Sequence, residues 1–452
     1  MHRPLTVRLA ALLAATTLVV TACGRDDGTD SATTDDTTET TTADDGSGGE
    51  AAAFINPDED CDDYQGTAGI EGTTIKIGTV RPAAGPYAIY DKVTAGLDAF
   101  VTATNNKGGV KAGDGKTYTL ELVKEDDAYD PAQTPAKVQK LVEQDGVFAI
   151  VGQIGTANNL AVRETLNDAC VPSIALATGS TEWGKADEFP WFIGGLPSYA
   201  TEAVAFLDWL KTDQPAAKIA LLYQDDDFGK AYQAAIAKYV EGTEMTIAAE
   251  QAFNPLNETS PESKVADLAS SGADVFFVGI GGAPCPAALR SVPASWTPLT
   301  YVSITCASKT AMSLAQGKDE GVYSTQATMD PASTEDQADE RVQAFIADAG
   351  AAGMAQADIE GGVTTAGWNF GAIFVRALEL APTVDRATVM NTLYSMEGEN
   401  FGMLRPEVQV NTDGAEDPWL IEDLRIIKRV GGQWTKVADS VSYDGQSNDL
   451  AG

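Results

Sequence analysis

Several short segments of this chain combine small residues, hydroxyls and aromatics in a way suited to holding a small polar molecule. Gly155-Thr156-Ala157 follows an apolar run and leads into a helical pattern beginning near Asn158. The free backbone N–H groups of that helix start and the Thr156 hydroxyl suit a carboxylate; Thr156 serving simply as the helix cap suits the same residues. Ala177-Thr178-Gly179-Ser180 offers hydroxyls and open backbone after the next apolar run, as a ligand's polar rim or as a Ser/Gly turn. Tyr87, Phe228, Trp183 and Tyr199 supply rings for the apolar part of a pocket, with core packing the better role for Trp183. Gly281 and Thr305, each after an apolar run, complete the candidate set.

The same inventory argues against catalysis. The only histidine is His2, so a chain processed at its amino terminus has no imidazole for nucleophilic catalysis or metal ligation. Neither a GxSxG elbow nor a GxxxxGK[ST] loop occurs. Gly279-Ile280-Gly281-Gly282-Ala283-Pro284 imitates part of a dinucleotide loop, but Pro284 stands where the third glycine belongs and the next strand ends in Ile304-Thr305 rather than an acid. Asp126-Asp127 and Asp225 to Asp227 have the composition of glycosidase acids or calcium ligands, and read better as exposed acidic loops. No enzyme activity, catalytic residue, cofactor or metal is expected.

These segments need a scaffold that brings them together. From residue 73 apolar runs of strand length alternate with helical patterns. The strands are expected at 74–80, 118–125, 148–152, 173–177, 218–223, 245–250, 275–279, 299–305 and 322–327. Val93, Leu97, Phe100, Val101 and Thr104 mark one intervening helix and Val138, Leu141 and Val142 another. This is an α/β pattern of parallel sheets flanked by helices, in which ligands bind outside the carboxyl ends of strands. Pro and Gly punctuation at 192–197 and 328–331 interrupts the rhythm and is read as crossings between two lobes. The lobes are assigned as 73–193 plus 329–418 and 194–328 plus 419–445.

Four cysteines, Cys61, Cys170, Cys285 and Cys306, lie in this part of the chain, and three pairings are possible. Cys61 and Cys170 each precede a strand, at the amino-terminal edge of one sheet. Cys285 and Cys306 each follow a strand, at the carboxyl edge of another. The pairing expected is therefore 61 with 170 and 285 with 306.

The motifs resemble a known family in order and spacing. Ile75 to Gly78, Arg81-Pro82, Ala84 to Tyr87 and the NNKGG run at 105–109 are similar to the opening of type I periplasmic solute-binding proteins, the leucine/isoleucine/valine-binding group of ABC importers. Val151 to Ala157, Val171 to Ser180, Asp225 to Lys230 and GWNFGAIFVRALEL at 367–380 continue the likeness to about residue 435. The resemblance implies two lobes joined by a multi-strand hinge, closing on a small organic ligand such as an amino acid, amide or carboxylate. It implies a ligand docked on Tyr87, Thr156, Ala157, Ala177, Thr178 and Gly179, then covered by Phe228, Gly281 and Thr305. Two departures speak against an amino acid: the strand end near Thr305 lacks the family's acid for the ligand ammonium, and Phe228 replaces a tyrosine.

The amino terminus gives the compartment. Basic residues at His2, Arg3 and Arg8 lead into the apolar stretch 9–20 and then Val-Thr-Ala-Cys at 20–23, which resembles the bacterial lipobox. The expectation is a signal peptide over 1–22, lipidation of Cys23, and an extracytoplasmic, membrane-tethered protein. Residues 24–53 contain nine carboxylates, eight threonines and one arginine, the composition of a disordered spacer; the linker is assigned over 23–72. About 400 residues follow, enough for two cores. A net charge of −36 argues against nucleic acid as a partner. The expected partners are the ligand and ABC permease subunits, with the membrane met only through the anchor and the protein monomeric. A surface sensor or interaction lipoprotein with the same fold and no importer is the alternative. Because lipidation needs the thiol, Cys23→Ser should release the protein to the medium or leave it unprocessed on fractionation; a variant both cleaved and membrane-bound would refute the anchor.

Overall fold

A computed structural model describes residues 53–451; the signal sequence, Cys23 and the acidic spacer as far as residue 52 lie outside the described residues. The β-branched and aliphatic runs form two sheets. The first holds β1 (Ile70–Glu71), β2 (Thr74–Arg81), β3 (Val110–Lys111), β4 (Thr117–Asp126), β5 (Ala149–Val151), β6 (Ser173–Leu176) and β7 (Phe192–Gly194). Its order is β3-β4-β2-β5-β6-β7, with β1 against β2, and β4-β2-β5-β6-β7 run parallel. The second holds β8 (Lys218–Gln224), β9 (Thr246–Phe253), β10 (Val275–Gly279), β11 (Leu299–Val302), β12 (Tyr323–Gln326), β13 (Asp423–Val430), β14 (Gln433–Lys436) and β15 (Val441–Ser442). Its order is β14-β13-β12-β11-β10-β8-β9, with β15 on β13. Here β9-β8-β10-β11-β12 are parallel and β13 closes the sheet antiparallel to β12.

The nine expected strands are all present. The one placed at 299–305 stops at Val302, because Ser303 Oγ accepts the Thr305 N–H and starts a single turn of helix over Ile304–Cys306. Residues 192–194, expected in a crossing, instead pair with β6. The chain passes from β7 to β8 through helix Tyr199–Asp213, returns after β12 to helices that pack on the first sheet, and re-enters the second sheet at β13. Helix Val363–Leu380 packs on helix Asp91–Asn106 at glycine contacts: a Cβ on Gly367 would lie 1.7 Å from the Val93 carbonyl oxygen, and one on Gly96 would lie 2.0 Å from that of Thr364. Backbones this close bring Val93, Thr365, Asn369 and Phe370 to one wall of the cleft described below.

The disulfides are Cys61–Cys170 and Cys285–Cys306. The first corrects the linker assignment, since the stretch from residue 53 to 72 folds onto the first lobe. Ile55 is buried in its core, Tyr64 Oη donates to Asp385 Oδ1 at 3.0 Å and the Ala387 N–H donates to Tyr64 at 2.6 Å. Acidity hid these few apolar anchors in the sequence.

A buried acid supports the loop after β11. Glu202, on helix Tyr199–Asp213, is fully buried. Its carboxylate accepts from Tyr301 Oη at 2.6 Å, Tyr232 Oη at 2.7 Å and the Ile304 N–H at 2.8 Å. Burial nevertheless raises its pKa from 4.5 to about 7, because three donors do not replace bulk hydration. The folded state therefore keeps a proton that the unfolded chain releases, and stability falls as pH rises from about 4.5 to about 7. Buried Asp127 and Glu422 and half-buried Asp226 and Asp330 are shifted in the same direction.

Two outcomes follow from this architecture. Peptide mapping of unreduced protein should recover both cysteine pairs, and Cys285→Ser/Cys306→Ser should lower the free energy of unfolding by about 3 kcal/mol in denaturant titration; a 170 to 285 peptide would contradict the strand order. The thermal midpoint should decline between about pH 5 and about pH 7.5, and Glu202→Gln should flatten part of that slope. An identical slope in the variant would mean Glu202 does not titrate there.

Candidate ligand-binding site

In the first sheet the chain leaves β2 for β4 on one side and reaches β5 on the other. The loops after β2 and β5 thus diverge and leave a crevice. The second sheet repeats the pattern with β8, β9 and β10. The two crevices meet across a seam between the lobes. Tyr87 Oη donates to Gln224 Oε1 at 2.6 Å, the Gly282 N–H donates to Tyr90 Oη at 2.8 Å, and the Ala283 N–H donates to the Pro86 carbonyl at 3.0 Å.

Between them lies a cavity of about 160 Å³. In an engineered protein a cavity of about 150 Å³ takes up benzene, so this one suits a ligand of about one ring or one short branched side chain. Its wall includes the rings of Tyr90, Tyr129, Tyr199, Phe228 and Phe370, with polar groups from Thr156, Gly281, Thr305, Thr365 and Asn369. Two charged residues line it, Lys309 and Asp330.

Several wall groups are held from behind. Tyr129 stacks on Tyr87 with ring centroids 4.0 Å apart and planes 5° apart. Its backbone is left-handed, φ 65°, as is that of Ala128, φ 54°, an arrangement that needs outside support. Asp127 provides it. One carboxylate oxygen accepts the Tyr129 N–H at 2.9 Å; the other accepts from Thr134 Oγ1 at 2.7 Å and Asn158 Nδ2 at 2.9 Å. Asp127 is therefore a buried structural acid, not part of an exposed loop, and burial raises its carboxyl above the usual range. Asp226 likewise caps helix Asp227–Glu241 through the Gly229 N–H at 3.3 Å. Tyr199 and Phe228 meet edge to face at 5.0 Å.

Helix Thr156–Asp168 starts at Thr156, and its cap is Gly155 at φ 99°, without a side-chain cap bond. Thr156 is thus not the cap; its hydroxyl lies 2.6 Å from that of Thr178. Among the predicted site residues, Thr156, Ala177, Phe228, Gly281 and Thr305 line the cavity. Tyr87, Ala157, Thr178 and Gly179 are not part of the wall. Tyr87 backs Tyr129, Thr178 backs Thr156, and the Gly179 carbonyl accepts the Tyr199 N–H at 2.7 Å. Ala157 sits one residue past Thr156 on the same first turn. Trp183 is core, stacked 6.1 Å from Phe192. Sequence reading missed Tyr129, Asn369, Phe370 and Asp330. Asn369 and Phe370 lie within the GWNFG run already singled out, whereas nothing local marks Tyr129 or Asp330.

Among the described residues, Asp417, Glu422 and Asp444 form a carboxylate group with oxygens within 4.8 Å of one another. None lines the cavity, and Glu422 is occupied by the N–H groups of Gly445 at 2.9 Å and Ser447 at 3.1 Å. No helix of the described residues is long and apolar enough to cross a membrane.

Comparison with known proteins agrees with this geometry. The pattern of the family described as periplasmic binding protein matches residues 74–428. "Leu/Ile/Val-binding protein homolog 6" of Brucella abortus (strain 2308) is 28% identical over 181 residues, which is 40% of this chain and 40% of that protein. "Leu/Ile/Val-binding protein homolog 8" of the same strain is 25% identical over 211 residues, 45% of this chain and 51% of that protein. The matches thus span about half or less of these relatives' length. An ABC-transporter substrate-binding protein of Aeropyrum pernix superposes with a TM-score of 0.74 at 19% identity, covering 84% of this chain and 98% of that one. A branched-chain amino acid ABC transporter protein of Thermus thermophilus, solved with valine, gives 0.72 at 17% identity, covering 82% and 96%. A solute-binding protein of R. palustris in complex with 4-hydroxybenzoate gives 0.68 at 20% identity, covering 83% and 99%. With the two-lobed fold and the match over most of its length, this chain belongs to the periplasmic binding protein family.

Proposed function

We propose that the protein is the lipid-anchored, extracytoplasmic solute-binding component of an ABC importer, and that it binds a small organic ligand by hinge closure. The observation that carries the reading is the cavity of about 160 Å³ enclosed where the crevices of two sheets meet. A small ligand held there touches both lobes, so it favours the closed arrangement over the open one by its contacts with the second lobe. Thr156, Ala177 and Tyr129 would receive it on the first lobe, with Phe228, Gly281 and Thr305 as the cover. The closed form is the one offered to the permease. Motion about the three passages between sheets would divide the lobes near 193–194, 328–329 and 418–419. Related structures carry valine or 4-hydroxybenzoate, which supports a one-ring or branched-chain ligand with a carboxylate.

A thermal-shift screen of amino acids, amides and aromatic carboxylates tests the reading, because a ligand that binds only the folded state raises the midpoint. For the best ligand, Thr156→Val should weaken binding about tenfold to a hundredfold by calorimetry, as expected for losing a hydrogen bond to a charged group, while Thr156→Ser should retain most of the affinity. Equal affinity in Thr156→Val, with the fold intact by circular dichroism, would remove Thr156 from the ligand's contacts.

A further inference from the structure

The last residues of the chain lie beyond the stretch that the family pattern matches, which stops at residue 428, and they belong to neither lobe alone. β15 pairs with the start of β13, Ser442 opposite Asp423. The chain then turns at Asp444-Gly445 and enters the short helix Ser447–Ala451. Glu422, in the third passage between the sheets, fixes that turn. Its carboxylate oxygens accept the Gly445 N–H at 2.9 Å and the Ser447 N–H at 3.1 Å, which sets the segment against the hinge.

From this turn the segment reaches both lobes. On the second, Tyr443 Oη donates to Asp208 Oδ2 at 3.0 Å, the Ser447 and Thr201 hydroxyls lie 2.6 Å apart in the interior, and Lys238 Nζ donates to the Asp449 carbonyl at 2.6 Å. On the first, Asn411 Nδ2 donates to Asp444 Oδ1 at 3.0 Å, Trp419 Nε1 donates to Asn448 Oδ1 at 2.8 Å, and Asn448 Nδ2 donates to the Glu416 carbonyl at 3.3 Å. Packing is divided in the same way. Tyr443 and Trp419 belong to the core around the first sheet, and Leu450 packs against that core and against the one around Tyr199 and Tyr232. Gly184 of the first lobe approaches so closely that a Cβ on it would lie 2.2 Å from Asn448 Oδ1. None of these contacts is made by a residue that lines the cavity, Tyr199 excepted.

We propose that residues 443–451 are a strap that holds the two lobes in the closed arrangement from the hinge side, an inference that rests on hinge closure in the solute-binding reading. The three passages between the sheets are covalent and turn with the lobes. The strap is attached to each lobe by side chains, so the lobes part only as one set of attachments gives way. Those attachments bias the ligand-free protein toward closure, and a ligand that bridges the cleft then has less of the equilibrium left to shift. Affinity is thereby adjusted from a region that makes no contact with the ligand.

Hydrogen–deuterium exchange on the processed, ligand-free protein reads the opening directly. The Gly282 and Ala283 N–H groups donate across the seam to Tyr90 Oη and the Pro86 carbonyl, so they are released when the cleft opens. In Ser447→Ala/Asn448→Ala these two amides should exchange about tenfold faster than in the wild type, while the amides of β10 keep their wild-type rates. Seam exchange equal to the wild type would overturn the strap. So would an acceleration no greater than that of β10, because it would report only a loss of overall stability. Where the double variant does not fold, Asn448→Ala alone, which leaves the buried contact between Ser447 and Thr201 in place, carries the same comparison with an expected acceleration of about threefold. The readout needs no ligand and so stands apart from the thermal-shift screen. Unchanged exchange with a ligand found overturns the strap alone, and faster seam exchange with no ligand found supports the strap and counts against the solute-binding reading alone.

Discussion

A parallel sheet whose strand order reverses has to part its loops at the point of reversal. In this protein that happens twice, at β2/β5 and at β8/β10. The crossover helices occupy the faces of each sheet, so only the carboxyl edges are left to meet the other lobe. The side chains that touch the cavity are consequences of that constraint. Thr156 and Phe228 begin the helices that follow β5 and β8, and Gly281 lies in the loop after β10. Residues from the crossings, Leu196, Pro197 and Thr328 among them, close the remaining wall.

Loops so exposed need fixing from beneath, and both lobes use a buried acid for it. Asp127 gathers Tyr129, Thr134 and Asn158 under one half of the cleft. Glu202 gathers Tyr232, Tyr301 and the Ile304 N–H under the other. Among the described residues neither acid has an ion partner. Their satisfied acceptors give the loops direction, since a carboxylate takes hydrogen bonds along defined lone-pair axes where apolar packing fixes no such axis. The raised carboxyl values of both are the cost of that arrangement, and the Cys285–Cys306 bond ties the helix after β10 to the turn after β11.

The parallel strands were legible because burial on both faces leaves unbroken apolar runs, as in 147–151 and 275–279. The antiparallel strand β13 was not. Its sequence, DLRIIKRV, places Arg425 and Arg429 in a strand interior, 2% and 4% exposed, and only the tertiary partners Gln326, Glu335 and Asp319 make that possible. The candidate site divides in the same way. Residues that follow a strand directly, such as Thr156 and Thr305, can be placed from the pattern. Tyr129 depends on a left-handed turn with no glycine to announce it. Tyr87 had the right loop but lies one layer too deep, because Tyr129 covers it.

The seam sets the scale of what a ligand has to do. Its hydrogen bonds between neutral groups include Tyr87 to Gln224, Gly282 to Tyr90 and Ala283 to Pro86, which contribute on the order of 1 kcal/mol each beyond what water offers, and the exposed ion pair of Lys309 with Glu360 adds no more than that. Opening the cleft hydrates the same groups, so these contacts alone leave the two arrangements close in free energy. A ligand shifts the balance only by the difference between its contacts in the closed and open forms. Contacts to the first lobe are available in both forms and contribute nothing to that difference. In the proposed closure the driving groups would be those of the second lobe, Phe228, Gly281 and Thr305.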